Sequence, residues 1–143
     1  MIIQQQQGQF GKIKIIDKAS KRLLMINKEI EGSVFHEPGS LSFGAKMSGP
    51  GAISASSYTY SFIVPAWHAP EGRGLIYGLG AAAGVVMLLA LFPKLCLDVV
   101  EIDETLIAMT RRYFPLVALY EKQGRLTITC ADAMHYEVSE SYN

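Results

Sequence analysis

Residues 74 to 92 read GLIYGLGAAAGVVMLLALF, nineteen positions without a charge. By length the stretch approaches the roughly 20 apolar residues of a membrane span. By its glycines it is a strand, a tight turn and a helix. Arg73 and Lys94 flank it, an arrangement a span tolerates. Two features decide against the span. No comparably apolar partner precedes it, and LCLDVVEI, residues 95 to 102, restarts as a strand two residues after it ends. A lone span would leave that strand without a sheet. The expectation is therefore a first strand over 74–77, a turn from Gly78 to Ala82 and a helix from Ala83 to Phe92.

The rhythm continues downstream. Asp103 is placed to cap a helix from Glu104 to Tyr113, with Arg111 and Arg112 in its last turn and Pro115 beyond. LTITC, residues 126 to 130, alternates Thr with apolar residues and forms the third strand. Strand, helix and strand in alternation define an α/β fold with a parallel sheet.

Upstream the pattern is antiparallel. Lys12 to Ile15 alternate with a period of two, residues 18–21 turn, Arg22 to Ile26 return, and Asn27-Lys28 turn again before a strand near Ile30. Such a meander is marginal unless it packs on something else. Residues 1–11, with their glutamine run, are expected to be disordered. A small β-domain then spans 12–72. Within it lies a Gly/Ser-rich loop at 37–57 and an aromatic segment, YTYSFIVPAW at 58–67, that is either helix or strand and ends at Pro65. Residues 73–143 hold the parallel sheet.

Composition narrows the function. Half of the 143 residues are hydrophobic, so a core can form, and thirteen basic residues balance thirteen acidic ones. That balance offers no basic field for nucleic acid or an anionic membrane. Cys96 and Cys130 stand 34 residues apart with no second ligand pair nearby, which points to reduced thiols, a cytoplasmic protein and no metal.

A small molecule remains. Gly78 and Gly80 expose backbone in the turn, and Glu101 lies 21 residues after Gly80 at the end of the second strand. An acidic side chain there accepts ribose hydroxyls from a nucleoside held over the turn. Asp132, just past the third strand, would reach the same crevice.

Three segments, GLIYGLGAAAG, VVEIDETLIAMTRRYF and RLTITCADAMHYE, together with the preceding meander, resemble the polyamine aminopropyltransferases, the spermidine synthase-like family. The resemblance runs from about residue 12 onward, apart from 37–57. It implies a Rossmann-like, methyltransferase-type parallel sheet, here incomplete, behind a small antiparallel β-domain. It also implies decarboxylated S-adenosylmethionine, or S-adenosylmethionine itself, as a substrate whose aminopropyl carbon is attacked by a polyamine. By that resemblance Gly78 and Gly80 lie under the methionine-derived arm and Glu101 holds the ribose. Ile102 lies against the adenine, whose amino group meets Asp132 with Ala133 alongside.

The chain also departs from the family. Glycines usually stand where it has Ala82 and Ala83, narrowing the approach to the ligand. A glutamine is replaced by Glu31, and the His-Glu pair after Tyr60 by Ser61-Phe62. The family's catalytic aspartate follows a fourth strand, and this sequence ends at Asn143, about where that strand begins. No catalytic residue is assigned, and His135 is expected to be an exposed turn residue. The first strand's unpaired edge implies a fragment of a longer protein, a second copy covering the edge, or lost C-terminal strands; a truncated chain that self-associates as a homo-oligomer is the expectation. A methyltransferase-like protein and a non-catalytic nucleoside-binding or assembly module are the alternatives.

Overall fold

The computed structural model describes residues 1–35, 42–43, 45–46, 57–138 and 141–142. Four antiparallel strands come first, in spatial order β1-β2-β3-β4: β1 (Ile2–Gln7), β2 (Lys12–Lys18), β3 (Lys21–Ile26) and β4 (Glu29–Phe35). The expectation of a disordered N-terminus is corrected here. Gln4 to Gln7 pair with Ile15 to Lys12, and Ile3 packs against the core. Glutamine suits an edge strand because its backbone bonds one neighbour while its amide faces water. Low complexity hid a strand.

The expected loop at 37–57 lies largely outside the described residues. Within it β5 (Ser42–Phe43) pairs with β6 (Ala45–Lys46). The aromatic segment is helical: a 3-10 turn over Ser57–Phe62 runs into α1 (Ile63–His68). Pro65 does not end it. Proline in the first turn of a helix removes an N–H that has no intrahelical acceptor anyway.

The parallel sheet has the order β7-β8-β9, formed by β7 (Gly72–Tyr77), β8 (Leu95–Glu101) and β9 (Leu126–Cys130). With the helices behind it, this is the α/β, Rossmann-like methyltransferase-type fold, preceded by the antiparallel sheet. β7 begins two residues earlier than its sequence pattern suggests, since Gly72 and Arg73 pair with Leu95 and Cys96. The opening stretch therefore resolves into the end of β7, a bend and α2 (Ala83–Leu91). Among the described residues no helix is long and apolar enough to cross a membrane. Every residue of α2 from Ala83 to Leu89 is buried, which is why it is apolar on all sides.

Two helices connect β8 to β9: α3 (Glu104–Tyr113) and α4 (Pro115–Lys122). The sequence pattern stopped at Pro115, but here proline starts a helix. At the far end of α2, the Arg125 guanidinium donates to the carbonyls of Leu89, Phe92 and Leu95 at 2.7–3.1 Å. Carbonyls without intrahelical partners are satisfied there by one cation.

The two sheets share their apolar interior. Ile13, Ile15 and Leu24 of the meander belong to the same buried cluster as Ala81, Met87, Leu106 and Val117. Arg22 reinforces the join. It binds Asp17 through two bonds of 2.7 and 2.8 Å and donates a third to the Tyr113 carbonyl at the end of α3. The meander has found the surface it needs.

Candidate functional site

The bend after β7 is built from residues that leave the usual backbone regions. Gly78 has φ +89° and Gly80 φ +52°, and Ala82, immediately before α2, sits at φ +54°. A side chain at Gly78 would meet nothing within 4 Å, so the backbone there is open. At Gly80 an added Cβ would stand 3.1 Å from the Glu31 carbonyl oxygen, because β4 passes directly over the bend. A left-handed alanine costs roughly 1–2 kcal/mol. Ala82 is held there by its own N–H to the Leu79 carbonyl and by Val86 N–H donating to its carbonyl, each at 2.8–2.9 Å.

Glu101 ties the bend to the neighbouring strand ends. One carboxylate oxygen accepts the Leu79 N–H at 2.8 Å, and the other accepts the Asp103 N–H at 3.0 Å. Its main-chain carbonyl accepts the Ala131 N–H at 3.0 Å as β9 leaves the sheet. The carboxylate is buried. Each of its oxygens keeps a second lone-pair direction, so accepting a hydroxyl remains possible.

Asp103 does more than cap α3. One oxygen accepts the N–H groups of Thr105 and Leu106, and the other accepts the Gln9 N–H at 2.7 Å. The β1–β2 hairpin therefore leans on the same rim. Sequence periodicity carries no signal for a contact spanning 94 positions.

The rim brings some expected residues together and separates others. Gly78, Gly80 and Glu101 converge through Leu79. Ile102 follows at the strand end, half-buried. Asp132 comes one residue after the Ala131 bond, but its carboxylate folds onto its own turn. It accepts the Met134 N–H at 2.9 Å and lies 3.1 Å from His135 Nδ1. Those two partners hold its pKa below the usual carboxylate value. Ala133 and His135 are exposed on that turn.

A cavity of about 240 Å³ opens on the other flank of the bend. Glu31, Tyr58, Phe62, Tyr77, Gly78 and Gly80 are among its lining residues, and among the described residues Glu31 is the only one in its wall with a charge. Tyr58 Oη donates to the Glu31 carbonyl at 3.0 Å. Burial, and then the Glu31 carboxylate, push the Tyr58 hydroxyl above its ordinary pKa. Tyr60 instead packs against the core. Ala82 lies outside this wall while Ala81 and Ala83 belong to it, so the expected narrowing falls on Ala83 alone of the expected pair. Neither Glu101 nor Asp132 lines the cavity. The bend separates a carboxylate rim from an aromatic pocket. Sequence reasoning found the rim; Tyr58 was hidden because a Tyr-x-Tyr pair does not reveal which ring faces inward.

The architecture is that of a Rossmann-like, methyltransferase-type domain behind a β-meander, and solved structures share it. The chain is similar to a probable spermidine synthase from Corynebacterium glutamicum ATCC 13032, with 19% identity and a TM-score of 0.59 over 91% of this chain and 44% of that one. It is also similar to a spermidine synthase from Thermotoga maritima, with 15% identity and a TM-score of 0.62 over 92% and 40%. A third, a spermidine synthase in complex with the transition state analogue AdoDATO, gives 16% identity and a TM-score of 0.61 over 91% and 39%. The chain thus spans about two-fifths of the length of these proteins. No family model matches it, and no curated protein does.

Proposed function

We propose that this chain is the nucleoside-binding part of a spermidine synthase-like aminopropyltransferase, taking decarboxylated S-adenosylmethionine or its product methylthioadenosine. The observation that carries the reading is the bond from Leu79 N–H to the Glu101 carboxylate. It sets an acidic side chain against an exposed glycine bend at the strand ends, where open α/β sheets hold nucleosides. The ribose lies over Glu101 and the adenine between Ile102, Asp132 and Ala133. For that, the Asp132 carboxylate must swing away from its own turn. The methionine-derived arm crosses Gly78 and Gly80 into the cavity.

The cavity suits an alkylammonium. Glu31 supplies a counter-charge, and Tyr58, Phe62 and Tyr77 supply ring surfaces that attract a cation. A polyamine or the aminopropyl amine itself fits that chemistry. Aminopropyl transfer also needs a base for the attacking amine. Among the described residues Glu31 is the one carboxylate in the cavity wall.

Calorimetric titration with methylthioadenosine tests the reading. Asp132→Ala is expected to weaken binding by about 1–3 kcal/mol, the range for charge-assisted hydrogen bonds. Glu31→Gln should leave methylthioadenosine unaffected and weaken decarboxylated S-adenosylmethionine, which carries the extra ammonium. Absence of binding by the folded parent, or identical affinities in all three proteins, defeats the assignment.

A further inference from the structure

Glu31 sits on an irregularity in β4. The register of this strand against β3 slips by one residue, from Leu24 opposite Gly32 to Met25 opposite Ile30, so Glu31 has no counterpart across the ladder. In a regular strand Glu31 and Gly32 would point to opposite faces. Here both meet the bend. A Cβ added to Gly32 would stand 2.9 Å from that of Ala81, and one added to Gly80 would stand 3.8 Å from that of Glu31. A bulge of this kind re-aims one side chain, and it carries Glu31 into the wall of the cavity of about 240 Å³.

The bulge is held from outside the sheet. Tyr58 Oη donates to the Glu31 carbonyl at 3.0 Å. The Tyr58 ring is seated in its turn, meeting Phe62 edge-on with centroids 6.3 Å apart and planes at 84°. Phe62 packs so closely on Gly84 of α2 that an added Cβ there would fall 2.7 Å from its ring. Three contacts thus run from the buried start of α2 to the carbonyl of the bulged residue.

From this geometry, and resting on the reading that the cavity takes an alkylammonium, we infer that Tyr58 is a positioning residue for that cation. Its hydroxyl fixes the backbone from which the Glu31 carboxylate projects. Loss of the bond frees the bulge to shift, and the carboxylate then spends part of its time out of the cavity wall. The role belongs to the hydroxyl, whereas the ring also serves as cavity surface.

Tyr58→Phe keeps the ring and removes only the donor. Calorimetric titration of the parent, Tyr58→Phe, Glu31→Gln and the double variant uses two probes: methylthioadenosine, which has no ammonium, and decarboxylated S-adenosylmethionine, which has one. Tyr58→Phe is expected to leave methylthioadenosine unchanged and to weaken decarboxylated S-adenosylmethionine by about two- to tenfold, the range of one neutral hydrogen bond. In the Glu31→Gln background the same substitution is expected to change neither affinity, since no charge is left to position. An equal loss for both probes, or an undiminished effect in the Glu31→Gln background, makes Tyr58 a structural residue only and overturns the inference. If Glu31→Gln itself leaves decarboxylated S-adenosylmethionine unaffected, the alkylammonium reading of the cavity has failed and the role of Tyr58 falls with it. If Glu31→Gln weakens that probe and Tyr58→Phe does not, the positioning role alone is overturned.

Discussion

Gly78 and Gly80 have similar backbone signs and different neighbours, and that difference separates a ligand role from a structural one. An alanine at Gly80 meets both a left-handed backbone and the Glu31 carbonyl 3.1 Å away. Gly80→Ala is therefore expected to cost ~2 kcal/mol or more, measured by urea unfolding. Gly78→Ala meets only the backbone term, about 1 kcal/mol. If the nucleoside crosses the bend, the order inverts for binding: Gly78→Ala, whose methyl points into open space, impairs methylthioadenosine affinity more than Gly80→Ala does. At this scale the sequence was legible where geometry demands a residue type. Two glycines and an acid 21 residues on announced a bend and its partner. It was silent on Ala82, whose left-handed conformation is imposed by packing, because alanine carries no mark of that strain.

Among the elements, α3 and β8 each depend on one buried carboxylate. Asp103 accepts three N–H groups, two from its own helix and one from Gln9. Asp103→Ala loses a cap and leaves the Gln9 donor without its acceptor, a combined loss of ~2 kcal/mol or more in thermal or urea unfolding. Asp98 in β8 is governed by competing influences. Burial alone would raise its pKa. The Arg73 guanidinium and the hydroxyls of Tyr142 and Thr127 outweigh burial and hold it below the usual value. The same contact pushes the Tyr142 hydroxyl up to about 12. A depressed carboxyl stabilises the fold above its unfolded pKa of about 4 and loses that contribution as pH falls through the lower folded value. Melting temperature should thus drop below about pH 4 in the parent, and Asp98→Asn should flatten that acid limb. The caps were legible, since Asp before an apolar-periodic stretch is a local signal. α4 was not: Pro115 serves equally as a stop or a start, and only the burial of Val117 and Tyr120 decides between them.

For the molecule as a whole, the two sheets are separate in strand pairing and joined in their interior. The alternation of the meander and the strand–helix rhythm after it were both visible in the sequence, so the fold class could be stated from it. The joint was not visible, because the shared apolar core is locked by single long-range contacts: Arg22 to Tyr113, Gln9 to Asp103, Gly32 against Ala81. None leaves a periodic trace. The same limit applied to the site. The rim could be read from spacing, whereas the aromatic cavity needs β4, the 3-10 turn and the bend brought together in space. With Ile13, Ile15 and Leu24 in the common core, the meander and the α/β sheet are expected to melt in one transition, followed in parallel by circular dichroism and by the fluorescence of Trp67.

The triple attachment of Glu101 carries a kinetic consequence. Its carboxylate receives the amides of Leu79 and Asp103, and its carbonyl receives that of Ala131. Those amide protons, far apart in the chain, ought to swap for deuterium on a common timescale, since releasing any of them requires the same strand end to let go. Glu101→Gln then splits the set: uptake at positions 79 and 103 quickens, while position 131, held by main chain, keeps its pace. Three loops that look independent on paper share a single latch.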